Sequence, residues 1–148
     1  MAFVIPCTVE IDAPADLVWH VITDFSRYGE WNPFVSECHS SLVVGEPIDM
    51  LAHLSGSRPR RQREWIRSCT PGHEFSYAMR PLPLGALHSL RSQTVTPLSN
   101  NRTHYASHFE LGGWLHPVVV ALLGTSLRRG FEGMTEGIQK RAESLHTT

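Results

Sequence analysis

The stretch from Leu115 to Leu145 is the longest helical pattern in the chain, and it restricts everything around it. Apolar residues recur at Leu115, Val119, Leu122, Leu127, Phe131, Met134, Ile138 and Leu145, with Ala142 filling the last gap. Most steps are three or four residues, which is one stripe of an α-helix. Pro117 falls in the first turn, where its missing N–H is not needed. Lys140 and Arg141 fall near the end, where cations oppose the helix dipole. Such a helix is roughly 45 Å long at 1.5 Å per residue. That exceeds the diameter of one domain of 148 residues, so the rest of the chain has to wrap around it.

Glycine is the oddity of this stretch. Gly124, Gly130, Gly133 and Gly137 interrupt the pattern, and each costs about 1 kcal/mol relative to alanine. Ser126, Gly130, Gly133 and Gly137 form a second stripe beside the apolar one. Two readings stand: close packing on a sheet or a break near Gly124, or a helix that roofs a cavity and leaves room for a ligand.

The chain before this helix reads as strands, apart from one helical segment. From Phe3 to Ile11, residues Ile5, Cys7, Val9 and Ile11 share one face of a half-buried strand. Asp12 is placed to cap a following helix, with Pro14 and Asp16 in its first turn, and Val18, Val21, Ile22 and Phe25 as its buried stripe. Ser26 to Trp31 reads as a second short helical turn, ended by Asn32-Pro33. Six strands follow: Val35–Val44, Ile48–Leu54, Arg58–Cys69, Phe75–Met79, Leu87–Pro97 and Thr103–Leu111. Turns are expected at Ser55-Gly56-Ser57, at Thr70-Pro71-Gly72 and at Ser99-Asn100-Asn101, the last using asparagine's tolerance of positive φ. Consecutive strands joined by short turns predict an antiparallel sheet, hence a single α+β domain over residues 1–148.

The totals exclude several classes. A net charge of −1 with 41% hydrophobic residues describes an ordinary globular chain, with no whole-chain bias toward nucleic acid or anionic membranes. Cys7, Cys38 and Cys69 are odd in number and far apart, which fits a reducing cytoplasm, and Met1 to Val9 does not read as a signal peptide. The apolar run Val118 to Leu123 is too short to span a bilayer. His104 and His108 would stand about 13 Å apart on a strand, and no metal-ligand spacing is present, so no metal and no cofactor are expected. Arg58-Pro59-Arg60-Arg61-Gln62-Arg63 is the only basic cluster and reads as a solvated strand end.

The block Val9-Glu10-Ile11-Asp12-Ala13-Pro14, then Val18-Trp19, Asp24-Phe25 and Trp31-Asn32-Pro33, resembles the START-like, or SRPBCC, superfamily. These are the polyketide cyclase/dehydrase and lipid-transport relatives with the Bet v 1-like fold. Leu111, Gly113, Leu115 and Pro117 resemble that family's entry to its last helix, and Gly130-Phe131 and Lys140-Arg141-Ala142-Glu143 resemble the helix itself. The resemblance covers essentially the whole chain. It implies a helix-grip fold, in which a curved antiparallel sheet of about seven strands wraps a long C-terminal helix, with two short helices after strand 1. It also implies an apolar cavity between sheet and helix.

Candidate site residues follow from strand parity. In the last strand Tyr105, Ser107, Phe109 and Leu111 share a face, and the apolar pair marks it as inward. In the preceding strand apolar count does not choose between Arg91, Gln93 and Val95 inward and Leu90, Ser92 and Thr94 inward. The run Arg91-x-Gln93-x-Val95-x-Pro97 resembles the family's inward phase. A buried Arg91 requires a partner, either a ligand anion, Glu64 or a backbone carbonyl. Trp31 and Phe34 are candidates for a cavity mouth, although Trp19 and Trp31 also suit helix anchors. The residues expected to meet a ligand are Trp31, Phe34, Tyr77, Met79, Arg91, Gln93, Tyr105, Ser107, Phe109, Phe131, Gly133 and Met134.

The functional expectation is a binder of a small hydrophobic molecule in an internal cavity. The alternative is a polyketide cyclase- or dehydrase-like enzyme, with Arg91 stabilising an enolate and Tyr105 or another hydroxyl as acid. A third class is a regulator that binds a partner protein through the cavity rim. A wholly apolar pocket favours the binder; a pKa-shifted acid and base inside it favour the enzyme.

Overall fold

The computed structural model describes residues 2–55 and 58–147. The elements run β1 (Phe3–Ile11), α1 (Ala15–Thr23), a 3₁₀ helix (Phe25–Glu30), β2 (Val35–Ser40), β3 (Pro47–Ala52), β4 (Arg60–Thr70), β5 (Glu74–Ala78), a 3₁₀ turn (Pro83–Gly85), β6 (His88–Ser99), β7 (Arg102–Gly112) and α2 (His116–His146). The seven strands form one antiparallel sheet in the order β1-β7-β6-β5-β4-β3-β2. The sheet curls into a half-barrel, and α2 lies in its grip. This is the helix-grip architecture.

Alternation places the core. Ile5, Cys7 and Ile11 of β1 and Val95, Tyr105 and Leu111 of β6 and β7 are buried on the concave face, where they meet Phe131, Met134, Ile138 and Ala142 of α2. Helix α2 is unbroken through Gly124. Val18, Val21 and Ile22 bury the inner face of α1. Its N-cap is Pro14 and not Asp12, whose backbone N–H donates to Glu143 of α2 instead. That bond and the Arg141–Glu30 ion pair at 2.8 Å tie the last turns of α2 to the first third of the chain.

Several boundaries differ from expectation. Strand β2 stops at Ser40, because Leu42 takes a positive φ and turns the chain. The β6–β7 hairpin closes at Asn100 and Asn101 without positive φ at either asparagine; a register shift between Pro97 and Ser99 provides the adjustment. Of the turn expected at Ser55-Gly56-Ser57, Gly56 and Ser57 lie outside the described residues.

The glycine stripe of α2 has a specific partner. A Cβ on Gly130 would stand 2.4 Å from the ring of Phe34, one on Gly137 2.9 Å from the carbonyl oxygen of Trp31, and one on Gly133 3.4 Å from Pro33 Cγ. The small residues therefore accept the segment Trp31-Asn32-Pro33-Phe34, which Asn32 shapes by accepting hydrogen bonds from the N–H groups of Phe34 and Val35 at 3.0 and 2.9 Å. Neither earlier reading of the stripe, as a sheet contact or a cavity roof, describes this packing.

Candidate functional site

Sheet and helix part toward one end of the grip and leave a cavity of about 160 Å³. Its walls are Phe34, Val35, Met50, Ala52, Leu54, Tyr77, Met79, Phe109, Leu111, Val119, Leu123, Leu127 and Phe131, with the polar side chains Arg60, Gln62, Glu64, Ser89 and Arg91. A cavity of about 150 Å³ admits benzene, so this one holds about a single ring.

Arg91 sits in β6 opposite Tyr77 of β5 and Phe109 of β7, and all three point to the concave face. It is 3% exposed. One guanidinium nitrogen donates to the Tyr77 hydroxyl at 2.8 Å, and two others reach Ser107 Oγ at 3.3 and 3.4 Å. Met134 Sδ lies 3.4 Å away on the helix side, and the cation stands 4.7 Å from the Phe131 ring centroid. All these partners are neutral. Among the described residues no carboxylate lies within ion-pair distance of Arg91. A guanidinium keeps its charge at any accessible pH, so this is a buried cation without a counter-ion.

Glu64 of β4 also lines the cavity. Burial raises its carboxyl to about 7, with the charge of Arg91 pulling the other way. Burial likewise pushes the Tyr77 phenol up to about 12, against the pull of Arg91, so Tyr77 keeps its proton. Since Tyr77 accepts from Arg91, its own O–H remains available as a donor. The cavity thus combines a fixed cation, a neutral hydroxyl donor and a carboxyl that changes charge near neutral pH.

Of the twelve expected contact residues, Phe34, Tyr77, Met79, Arg91, Phe109 and Phe131 line the cavity. Ser107 and Met134 lie behind it and hold Arg91. Tyr105 and Gln93 share a deeper hydrogen bond at 2.7 Å, with Tyr105 donating, and are core. Trp31 packs edge-on against Tyr28 and over Gly137, and Gly133 faces Pro33; neither borders the cavity, because the stripe they belong to serves the Trp31–Phe34 segment. Glu64 was absent from the expected set. Its parity with buried Ile66 marks it as inward, but the charged run Arg60–Arg67 masks that signal.

Comparison with known proteins places this geometry. The family described as polyketide cyclase / dehydrase and lipid transport matches residues 5–143. The chain belongs to that family. Its fold is START/Bet v 1-like, a ligand-binding architecture that includes polyketide cyclases. The Zhui aromatase/cyclase from a Streptomyces species is similar at a TM-score of 0.77 and 16% identity, covering 97% of this chain and 94% of that one. Norcoclaurine synthase from Thalictrum flavum is similar at 0.72 and 20% identity, covering 100% and 98%. A START superfamily protein from Mycobacterium smegmatis is similar at 0.71 and 18% identity, covering 96% and 98%. At these identities the likeness speaks for the fold alone. No curated protein matches the sequence.

Proposed function

We propose that this chain binds a small, largely apolar molecule of about one ring that carries an anionic or strongly polarised oxygen. The oxygen is held by Arg91 and Tyr77, and the ring lies among Phe34, Met50, Phe109, Leu127 and Phe131. The observation that carries this reading is the buried guanidinium at the cavity wall with only neutral partners. An interior cation is costly unless something offsets its charge, and a ligand oxyanion does so. The cavity volume supports one ring rather than a fused polyketide or a long acyl chain. Melting curves with benzoate, 2-naphthoate and palmitate test this. Benzoate at 100 times its dissociation constant adds about 2.7 kcal/mol of stability. A shift from palmitate alone would overturn the reading.

A second reading, the cyclase- or dehydrase-like enzyme, is favoured by Glu64. The pocket is not purely apolar: it pairs a carboxyl poised near neutrality with a cation and a hydroxyl. In that reaction the Glu64 carboxylate takes the proton from the carbon next to a ligand carbonyl. The enolate oxygen rests on Arg91 and Tyr77, and protonated Glu64 then returns the proton to carbon or to a departing hydroxyl, which leaves as water. Deuterium exchange of phenylacetone, followed by NMR, checks it. Exchange above the buffer rate that disappears in Glu64→Gln supports catalysis; no exchange leaves the binding reading alone.

A further inference from the structure

We propose that the open end of the cavity is a docking surface for an anionic lipid bilayer. The opening is framed by the β3–β4 end, the β5–β6 connection and the first turns of α2. Ser126 Oγ of α2 reaches the carbonyl of Ser55 at 3.4 Å, and the indole N–H of Trp114 donates to the carbonyl of Leu84 at 3.0 Å, so the three segments meet there. Large apolar side chains stand in solvent at this end: Leu84 is 92% exposed, Leu122 76% and Trp114 65%. Val118 and Leu122 are four apart, so they share the outward side of the helix whose inward side, Val119, Leu123 and Leu127, lines the cavity, and Trp114 stands in the turn just before that helix. Leu84 is held at φ 61, a backbone region leucine rarely adopts, and burial does not explain its presence there.

Charge at this end is one-sided. The sequence has no acidic residue from Met50 to Arg63 and a single one, Glu110, from Phe75 to Phe131, and these runs supply the framing segments. Glu110 faces His108 at 3.4 Å. Arg58, Arg60, Arg80, Arg128 and Arg129 are exposed within them. Among the described residues none of these five has a carboxylate within 4.0 Å, whereas Arg61 and Arg63 pair with Glu37 and Asp49. The net charge of −1 conceals this, because every acidic residue but Glu110 lies outside these runs. Protruding leucines and a tryptophan on segments that also carry exposed arginines match the interfacial layer of a bilayer, where apolar tips enter the acyl boundary and cations meet anionic headgroups. A second copy of the same face would meet its own cations, which opposes self-association. An acidic protein would satisfy the arginines but supplies no reason for isolated apolar tips. The proposal does not depend on which ligand the cavity holds.

Co-sedimentation with phosphatidylcholine vesicles, with and without phosphatidylserine, tests this. Binding is expected only to the phosphatidylserine vesicles and to weaken as salt rises. Replacing Arg58, Arg80 and Arg129 by Gln lowers partitioning by about fivefold each. Leu84→Asp with Leu122→Asp abolishes binding while the melting curve stays that of the wild type. As a second readout, Trp emission shifts to the blue on anionic vesicles in the wild type and not in Trp114→Phe. No binding to phosphatidylserine vesicles overturns the proposal, as does binding that survives the double Asp variant. Retention on polyglutamate without vesicle binding assigns the face to an acidic protein instead, and a concentration-dependent dimer abolished by Leu122→Asp assigns it to a second copy.

Discussion

Arg91 and Glu64 face one cavity with opposite demands on solvent. The arginine is charged under all conditions, whereas burial keeps the glutamate protonated up to about pH 7. In the unfolded chain Glu64 loses its proton near the ordinary glutamate value of about 4.3. Between those two values the folded state holds a proton that the unfolded state has released. Stability therefore falls as pH rises through that window, by about 1.4 kcal/mol per unit and about 4 kcal/mol in all, and is level above it. Glu64→Gln lacks this loss. Urea unfolding of both proteins at pH 5 and pH 8 should show the variant gaining on the wild type at pH 8. A difference independent of pH would mean that Glu64 titrates as it does in water. The same charge change gives a ligand prediction: the affinity for benzoate drops as pH rises through about 7, because ionised Glu64 repels a second carboxylate in the same cavity.

Helix α2 works through two stripes, and its glycines separate by what they touch. Gly130→Ala places a methyl 2.4 Å from Phe34, whose ring is already packed on Phe131 at 5.0 Å between centroids. Overpacking costs about 1–3 kcal/mol, more than the helix propensity returned. Gly133→Ala meets only Pro33 Cγ at 3.4 Å, so it should stabilise by about 1 kcal/mol. Thermal unfolding of the two variants is the check, and equal shifts would contradict the packing described. What the sequence disclosed at this scale follows from periodicity. Apolar steps of three and four located α2, alternation together with turn residues located the seven strands, and alternation gave the inward face of β7. The partner of the glycine stripe was not legible, because the contact joins residues about a hundred positions apart and carries no period. Glu64 was obscured for a local reason. Along β4 the inward face runs from exposed Arg60 to buried Ile66 as the cavity closes, so alternation in polarity fades where the site begins.

At the scale of the whole molecule, a half-barrel gripping a helix leaves a cavity toward one end, and its chemistry separates into an apolar floor and a charged wall. The family accounts for the fold; what the cavity holds has to follow from the chemistry of the residues that line it. The measurement that tests the ligand reading most directly is calorimetric titration of benzoate and toluene into the wild type and Arg91→Met, with cooperative melting as the control for folding. The two ligands have nearly the same shape and differ in charge. A charge-assisted hydrogen bond contributes about 1.5–3 kcal/mol. The wild type should therefore prefer benzoate by roughly ten- to a hundredfold, and Arg91→Met should lose that preference while still binding toluene. Equal benzoate affinity in both proteins, or no binding of either ligand to the wild type, would contradict an oxyanion site at Arg91.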